Sequence, residues 1–359
     1  MNWATISVIA AVAATVLFIG VTRPMHNWDM IGYVASAHYQ DGLRAEQLLA
    51  RTYAEVRDEV GPEVFTSLTT SNDYRRGVFQ SAQALQEQLP FYSIRVVYVE
   101  MIRGVGMFGV AYPRATYLVG AFFSAVAAAV LGIICVRALL PVCVLPLVAL
   151  ATGFLQLATF STPDSLALSG ALLATLACMS GSAWVYVLAA LLPALRTEFV
   201  IFSALLMLAA FHRGQRLRSS VAFAASLLVY FAVSLSQHAY GWLTLLNFSR
   251  AKAVPFPSKI VPSHDLVVYL KMYVGSVWSL IDSPHFVIYL LAGYVFAAFR
   301  SAAYTRELHA RELFAIPMCF VVIHWLLYPS YEYRQFVLPA SLTLVWTLSS
   351  LRSIAARLR

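Results

Sequence analysis

The chain reads as a series of apolar runs, most close to twenty residues long, separated by short polar turns. The pattern predicts spans near 4–21, 114–136, 141–160, 164–180, 183–195, 198–211, 219–240, 284–299, 313–328 and 334–351. Runs of this length with few charges point to helices crossing a bilayer. A membrane barrel would instead show alternating segments of ~10 residues. Two apolar stretches do not fit a simple span. Residues 92–110 carry Arg95, Glu100 and Arg103, and a charge at the bilayer centre costs about 2.5–3.5 kcal/mol. An interfacial helix is predicted there. Residues 266–281 have Lys271 near the middle and Asp282 just beyond, which predicts an interfacial or re-entrant helix.

The stretch from about 22 to 112 is a long loop with helical periodicity of its own. Leu49, Tyr53, Val56 and Val60 recur at helical spacing, and so do Tyr74, Val78, Ala82, Leu85 and Leu89. Charges such as Glu46, Arg51, Glu55, Asp73, Arg75 and Arg76 fall between them. Two amphipathic helices are expected, lying on the membrane surface or packing against the protein's own loops. A second long loop covers 241–283.

Composition agrees with a membrane protein. Of 359 residues, 60% are hydrophobic and 12% charged, against about 25% charged in soluble domains. Mean hydropathy is +0.72. The expected fold is therefore an all-α polytopic membrane protein, one membrane domain over 1–359 with about ten transmembrane helices. The net charge of +8 is mostly arginine in short loops. It reads as a topology signal and does not call for nucleic acid. Arg137, the group Arg213, Arg216 and Arg218, the group Arg300, Arg306 and Arg311, and the terminal Arg352, Arg357 and Arg359 all fall on the cytoplasmic side if the N-terminus is inside and ten spans follow. Both termini are then cytoplasmic, in a plasma (inner) membrane. "WVYVLAALLPALRTEFVIFSALLMLAA" keeps this parity only as two short helices meeting at Arg196–Glu198, and not as one helix broken at Pro193. Residues 4–21 lack a basic flank and a small-residue cleavage site, so an uncleaved signal anchor is expected. Cys135, Cys143, Cys178 and Cys319 lie in apolar runs without metal or disulfide spacing and are expected to pack as small residues.

This topology gathers the unusual ionisable residues on the outer face. Asp29 sits in "HNWDMIGY", a few residues past the first run. It is a solvated loop acid or a general base toward a hydroxyl. His26 and His38 flank it, so a divalent metal is conceivable, but no HxxxH or HExxH spacing supports one. Asp164 starts a helix in "STPDSLALSG", with Ser161 or Thr162 as cap and Pro163 in the first turn. It complements the helix dipole or belongs to a site. Arg196 and Glu198 in "LRTEF" neutralise each other or hold an anionic group. Glu332 and Arg334 in "YPSYEYRQFVLP" face the same choice. Tyr328, Tyr331 and Tyr333 beside them suit an interfacial aromatic belt or a sugar or lipid headgroup. Arg250, Lys252 and Lys259 in the proline-rich second loop suit a lipid phosphate or ordinary anionic headgroups. His324 lies inside the ninth predicted span, where it is a functional candidate or a histidine hydrogen-bonded to a helix neighbour. His238 and His285 are expected to be interfacial. No nucleotide-binding, GxSxG or zinc-cysteine pattern occurs.

These residues carry a resemblance. One span, an acid in the first outer loop, amphipathic helices in that loop, "TPDSLALSGALLATLA", "LRTEFVIFSALLML" and "YEYRQFVLPASLTLVW" occur in an order that resembles the GT-C superfamily of membrane glycosyltransferases. The closest branch is that of protein mannosyltransferases and lipid A aminoarabinose transferases. Asp29 is similar to the family's early outer acid, Pro163–Asp164 to its helix-start motif, Arg196–Thr197–Glu198 to its RPE-like turn, and Glu332, Tyr333, Arg334 and Pro339 to its late element. The chain departs from the family in having Trp28 before Asp29 where a second acid is common, Thr162 where arginine often stands, and no large C-terminal soluble domain. The resemblance implies a GT-C-like bundle that takes a sugar from a polyprenyl-phosphate donor to an acceptor hydroxyl of a glycan, lipid or protein. The transfer is inverting and takes place on the extracytoplasmic side. It implies Asp29 as base and Arg196 and Arg334 against the leaving phosphate, with Arg103 or Lys259 as further cations. A chain with only three lysines suits the bidentate fork of arginine. Tyr92 is expected near the acceptor entrance. No cofactor is required. The competing functions are a lipid-linked glycan transporter or flippase and an inactive binding scaffold. The transferase expectation is specific: Asp29, Asp164, Arg196 and Arg334 line one outward cavity with a lateral opening to lipid.

Overall fold

The computed structural model describes residues 1–299 and 308–357. Among them every regular element is helical, and an isolated parallel bridge joins Met25 to Phe160. The basic residues Arg300, Arg306 and Arg359 lie outside the described residues. Helix α1 spans Trp3–Thr22. The first loop holds α2 (Asp29–Gln40), α3 (Ala45–Glu59), α4 (Pro62–Thr70), α5 (Asp73–Phe79), α6 (Ala82–Ser93) and α7 (Val96–Gly106). Then come α8 (Tyr112–Arg137), α9 (Leu145–Ala151), α10 (Phe154–Leu157), α11 (Asp164–Met179), α12 (Trp184–Leu195), α13 (Phe199–His212) and α14 (Arg216–Ser236). The remainder is α15 (Trp242–Leu246), α16 (Leu266–Ile281), α17 (His285–Ala298), α18 (Leu308–Leu327) and α19 (Val337–Arg357).

Helix length qualifies the expectation of ten spans. Helices α1, α8, α14 and α19 are long and apolar enough to cross a membrane. The pair α16 and α17, bent by 83° at Asp282–Pro284, would make a fifth. That bend fits the re-entrant reading of 266–281. The other predicted spans contain shorter apolar helices. The 14 residues of α13 rise only about 21 Å, against a hydrocarbon core of about 30 Å. The run 141–160 is broken at Gly153, whose φ of +81° separates α9 from α10. The run 183–211 breaks at Arg196, which is extended (φ −157°, ψ 120°) and ends α12. Pro193 stays inside α12, so the two-short-helices expectation describes this segment. Cys135 and Cys178 are buried as expected. Cys143 and Cys319 are exposed, because the apolar runs that hold them present a face outward.

The first loop forms a small core of its own. Met30, Ile31 and Val34 of α2 meet Leu48, Tyr53 and Val56 of α3, Val78 of α5 and Leu85 and Leu89 of α6. The apolar stripes predicted for α3 and α5–α6 are therefore spent on one another. The second stripe is interrupted at Ser81, whose hydroxyl accepts from the Ala84 N–H and starts α6 anew. Helix α2 has no counterpart among the predicted elements.

Small residues let the membrane helices approach the strand-like turns that carry the polar residues. A side chain at Gly120 of α8 would place its first carbon 2.7 Å from the Phe160 carbonyl oxygen. Contact at that distance forces backbone to move. The 158–163 segment, held also by the Met25 N–H donating to the Thr159 carbonyl at 2.7 Å, sets the start of α11. We expect Gly120→Ala to lower the melting temperature of the detergent-purified protein and Gly120→Val to lower it further. Equal melting of all three proteins would show that this approach is not tight.

Candidate functional site

Asp29 is the first residue of α2, where the partial positive charge of a helix N-terminus favours an anion. Its Oδ2 accepts from Asn27 Nδ2 at 3.1 Å and from Arg334 Nη1 at 2.7 Å. Neither Arg23 nor His26 is its partner. Arg334 comes from a single 3₁₀ turn at Tyr333–Gln335. It also donates from Nε to Glu332 at 3.1 Å, and its Nη1 lies 3.6 Å from Asp164 Oδ2. The other Asp164 oxygen pairs with Arg196 Nη1, and Arg196 Nε donates to Glu198. Arg95 closes the series, with Nη2 3.5 Å from Glu198 Oε2 and Nη1 donating to Thr197 at 3.2 Å. Three guanidiniums thus face four carboxylates in one connected chain drawn from five regions of the sequence.

Burial sets the strength of that chain. Asp164 and Arg196 are each 6% exposed, and a buried ion is tolerated only when paired. Burial opposes the charge on Arg334, but Asp29, Asp164 and Glu332 outweigh it and hold the guanidinium more firmly protonated than an ordinary arginine. Burial alone would raise the Glu198 carboxyl. Arg196 and Arg95 reverse this and bring it from 4.5 down to about 2.

A cavity of about 520 Å³ opens beside Asp29 and Arg334. Trp28, Phe160, Tyr331 and Tyr333 give it aromatic walls, and Arg75, Asp282 and Glu332 add charge. The walls are supported from behind. Trp28 Nε1 donates to Tyr74 at 3.2 Å, Tyr74 donates to Gln88 at 2.9 Å, and Gln88 donates to the Pro255 carbonyl at 2.9 Å. His285 is fully buried, and its ring nitrogens lie 2.9 Å from the Tyr331 hydroxyl and 3.2 Å from the Thr152 carbonyl. It is a support for the wall and not an interfacial residue, because the α16–α17 bend turns it inward. A side chain at Gly153 would meet the Tyr333 ring at 3.3 Å, so the break after α9 also makes room for this wall.

The expected residues divide into three groups. Asp29, Glu332, Tyr333 and Arg334 line the cavity. Asp164, Arg196 and Glu198 lie in the same ion chain but line no part of that cavity. Arg103 and Lys259 are elsewhere. Arg103 is held by Asp41 at 2.9 Å and by Glu100, and Lys259 is exposed with its ammonium 4.6 Å from the Phe256 ring centre. Tyr92 packs under Gly32 and edge-on to Tyr33, buried in a second cluster with Tyr98 and Ile102 of α7 and Val119 of α8. Ser161 and Thr162 do not cap α11, and their hydroxyls have no hydrogen-bond partner among the described residues. His324 is buried against Phe320 and Phe336, with Nδ1 making no hydrogen bond among the described residues. His26 packs edge-on to Tyr117, and His38 pairs with Glu55 at 3.2 Å. Among the described residues no cluster of three or more His, Cys, Asp or Glu is arranged to hold a metal ion. The residues missed by sequence reasoning are Arg95, Arg75, Asp282 and the serines Ser279 and Ser283. The only signal for Arg95 was its cost within an apolar stretch.

An apolar groove of about 920 Å³ lies between α7 and α8, walled by Val97, Met101, Val105, Leu118, Phe122 and Phe123. The exposed Met107 and Phe108 and one carboxylate, Glu100, complete its lining. No protein-family model, curated protein or solved structure matches this chain.

Two outcomes follow from the ion chain. Asp164→Asn leaves Arg196 buried with one carboxylate fewer, and we expect a loss of about 3–5 kcal/mol, read by chemical unfolding. Glu198 has a depressed folded value, so its contribution is complete above 4.5 and disappears as pH falls toward 2. Glu198→Gln should flatten the stability–pH curve over that window. A curve of unchanged slope would remove Glu198 from the acid response.

Proposed function

We propose that the protein is a membrane glycosyltransferase of the GT-C type that takes a sugar from a polyprenyl-phosphate donor to an acceptor hydroxyl. The observation that carries this reading is the cavity in which Asp29, fixed by Asn27 and Arg334, faces aromatic walls. Flat aromatic faces and carboxylates are the chemistry that holds a sugar ring. Among the described residues Oδ2 of Asp29 takes both of its bonds, which leaves Oδ1 for a substrate hydroxyl. In the proposed step that hydroxyl gives its proton to Asp29 as its oxygen attacks the anomeric carbon. The bond from that carbon to the phosphate oxygen breaks, the phosphate leaves with the electron pair, and configuration inverts.

The rest of the molecule supports two routes of access. The cavity is open and combines aromatic walls with charged side chains, as a sugar ring and its hydroxyls require. The α7–α8 groove is apolar, and Arg95, which joins the ion chain at Glu198, immediately precedes α7. In this reading the four or five long helices span a plasma membrane, the shorter ones fill out a GT-C-like bundle, and the cavity faces the extracytoplasmic side.

The test is Asp29→Asn in membranes supplied with polyprenyl-phosphate sugars of several kinds. Transfer should fall by about 10²–10⁴-fold while the protein still folds and binds donor. Transfer at a normal rate would sink the assignment of Asp29. Lipid-linked glycan crossing the membrane without any transfer, unaffected by the substitution, would establish the transporter reading in its place.

A further inference from the structure

The cavity contains a second arginine whose state differs from that of Arg334. Arg75, in α5, lines the same wall. Its neighbour Asp73 is taken by Arg76 at 3.2 Å. Arg75 itself has no carboxylate partner among the described residues. Its Nη1 donates to the Ser67 carbonyl at 2.8 Å and to the Ser71 hydroxyl at 3.1 Å. Its guanidinium carbon lies 5.6 Å from the Trp28 ring centre. Those contacts hold one end of the fork, while Nε and Nη2 make no hydrogen bond among the described residues. Arg334, by contrast, is surrounded by Asp29, Asp164 and Glu332, and Arg196 by Asp164 and Glu198.

We propose that Arg75 is the residue that binds the phosphate of the lipid-linked substrate, a diester in the donor and a monoester once the sugar has left, through its free Nε–Nη2 edge. The physical reason is charge already committed. An anion approaching Arg334 or Arg196 meets carboxylates at the same guanidinium and must displace one. An anion approaching Arg75 meets an uncompensated cation, pre-set by neutral acceptors and a ring face. The open edge has the geometry for two parallel N–H···O bonds to one phosphate. Arg334 and Arg196 then serve to position Asp29 and Asp164. This inference rests on the reading of the cavity as a site for a phosphate-linked substrate, and it assigns the phosphate to a residue that carries no motif.

The test uses the full chain in phosphatidylcholine nanodiscs, titrated with farnesyl phosphate, farnesol and inorganic phosphate, with binding read by native mass spectrometry. Wild type should bind farnesyl phosphate well above farnesol. Arg75→Gln keeps a neutral amide near Ser67 and Ser71, and should weaken farnesyl phosphate by about 10–100-fold with farnesol unchanged. Arg75→Lys keeps the charge without the fork and should fall between them. If inorganic phosphate binds as tightly as farnesyl phosphate and is equally lost in Arg75→Gln, the site takes a free phosphate. If farnesyl phosphate binds more tightly, it takes a lipid headgroup. Wild-type affinity for both phosphates in Arg75→Gln, or an equal loss for farnesol, overturns the proposal. No turnover is measured, so the result is separate from the fate of the transferase reading: Asp29→Asn tests that reading through sugar transfer and should leave farnesyl phosphate binding intact.

Discussion

The structure depends on balancing carboxylates and guanidiniums away from water. A single buried charge at the ends of these apolar helices would be intolerable, and a chain of alternating charges makes each member tolerable. Asp164 and Arg196 can be almost fully enclosed because each supplies what the other lacks. Through Arg334 that pair is connected to Asp29, and through Glu198 to Arg95. The chain therefore ties the first-loop helices, the starts of α11 and α13 and the turn before α19 into one unit. Its surplus carboxylate leaves little cationic capacity at its own arginines. That is why Arg75, outside the chain, has different chemistry from Arg334 although both border the same cavity.

The aromatic walls follow from the same economy of space. Tyr331 and Tyr333 come from an irregular segment between α18 and α19, which would have no fixed conformation without support. His285 and the broken helix at Gly153 give that support, and both depend on departures from straight membrane helices. The 83° bend between α16 and α17 places His285 inward, and the left-handed Gly153 clears room for a ring. Two departures from regular helix geometry thus support the cavity wall, where irregular backbone is buried in protein.

Much of this was legible in the sequence, for identifiable reasons. Apolar runs such as 4–21 and 114–136 announced α1 and α8, because a helix long enough to cross a bilayer must be apolar over most of its length. The stripe Tyr53, Val56 and Val60 announced α3. Helix α2 was hidden, since every residue from Met30 to His38 is buried and no polar face marks a period. Helix length was hidden as well: a run such as 141–160 is uniformly apolar whether or not Gly153 breaks it. Asp29, Asp164, Arg196 and Arg334 stood out as charges at the borders of apolar runs. Which of them pair is a tertiary fact. Arg75 looked like one more charge on the polar face of an amphipathic helix, because nothing local shows that its neighbour Asp73 is engaged by Arg76.

The Asp29–Arg334 contact joins residues 305 positions apart. Synthesis at about 5–20 residues per second puts tens of seconds between the appearance of one partner and the other. During that interval α2 has its acid but not its counter-ion, and Asp164 and Arg196 can already meet. The first-loop helices must keep Asp29 wet until the last helix arrives. The cavity is then complete only once the turn that carries Arg334 is in place, and until that point Asp29 has Asn27 as a partner but no counter-ion.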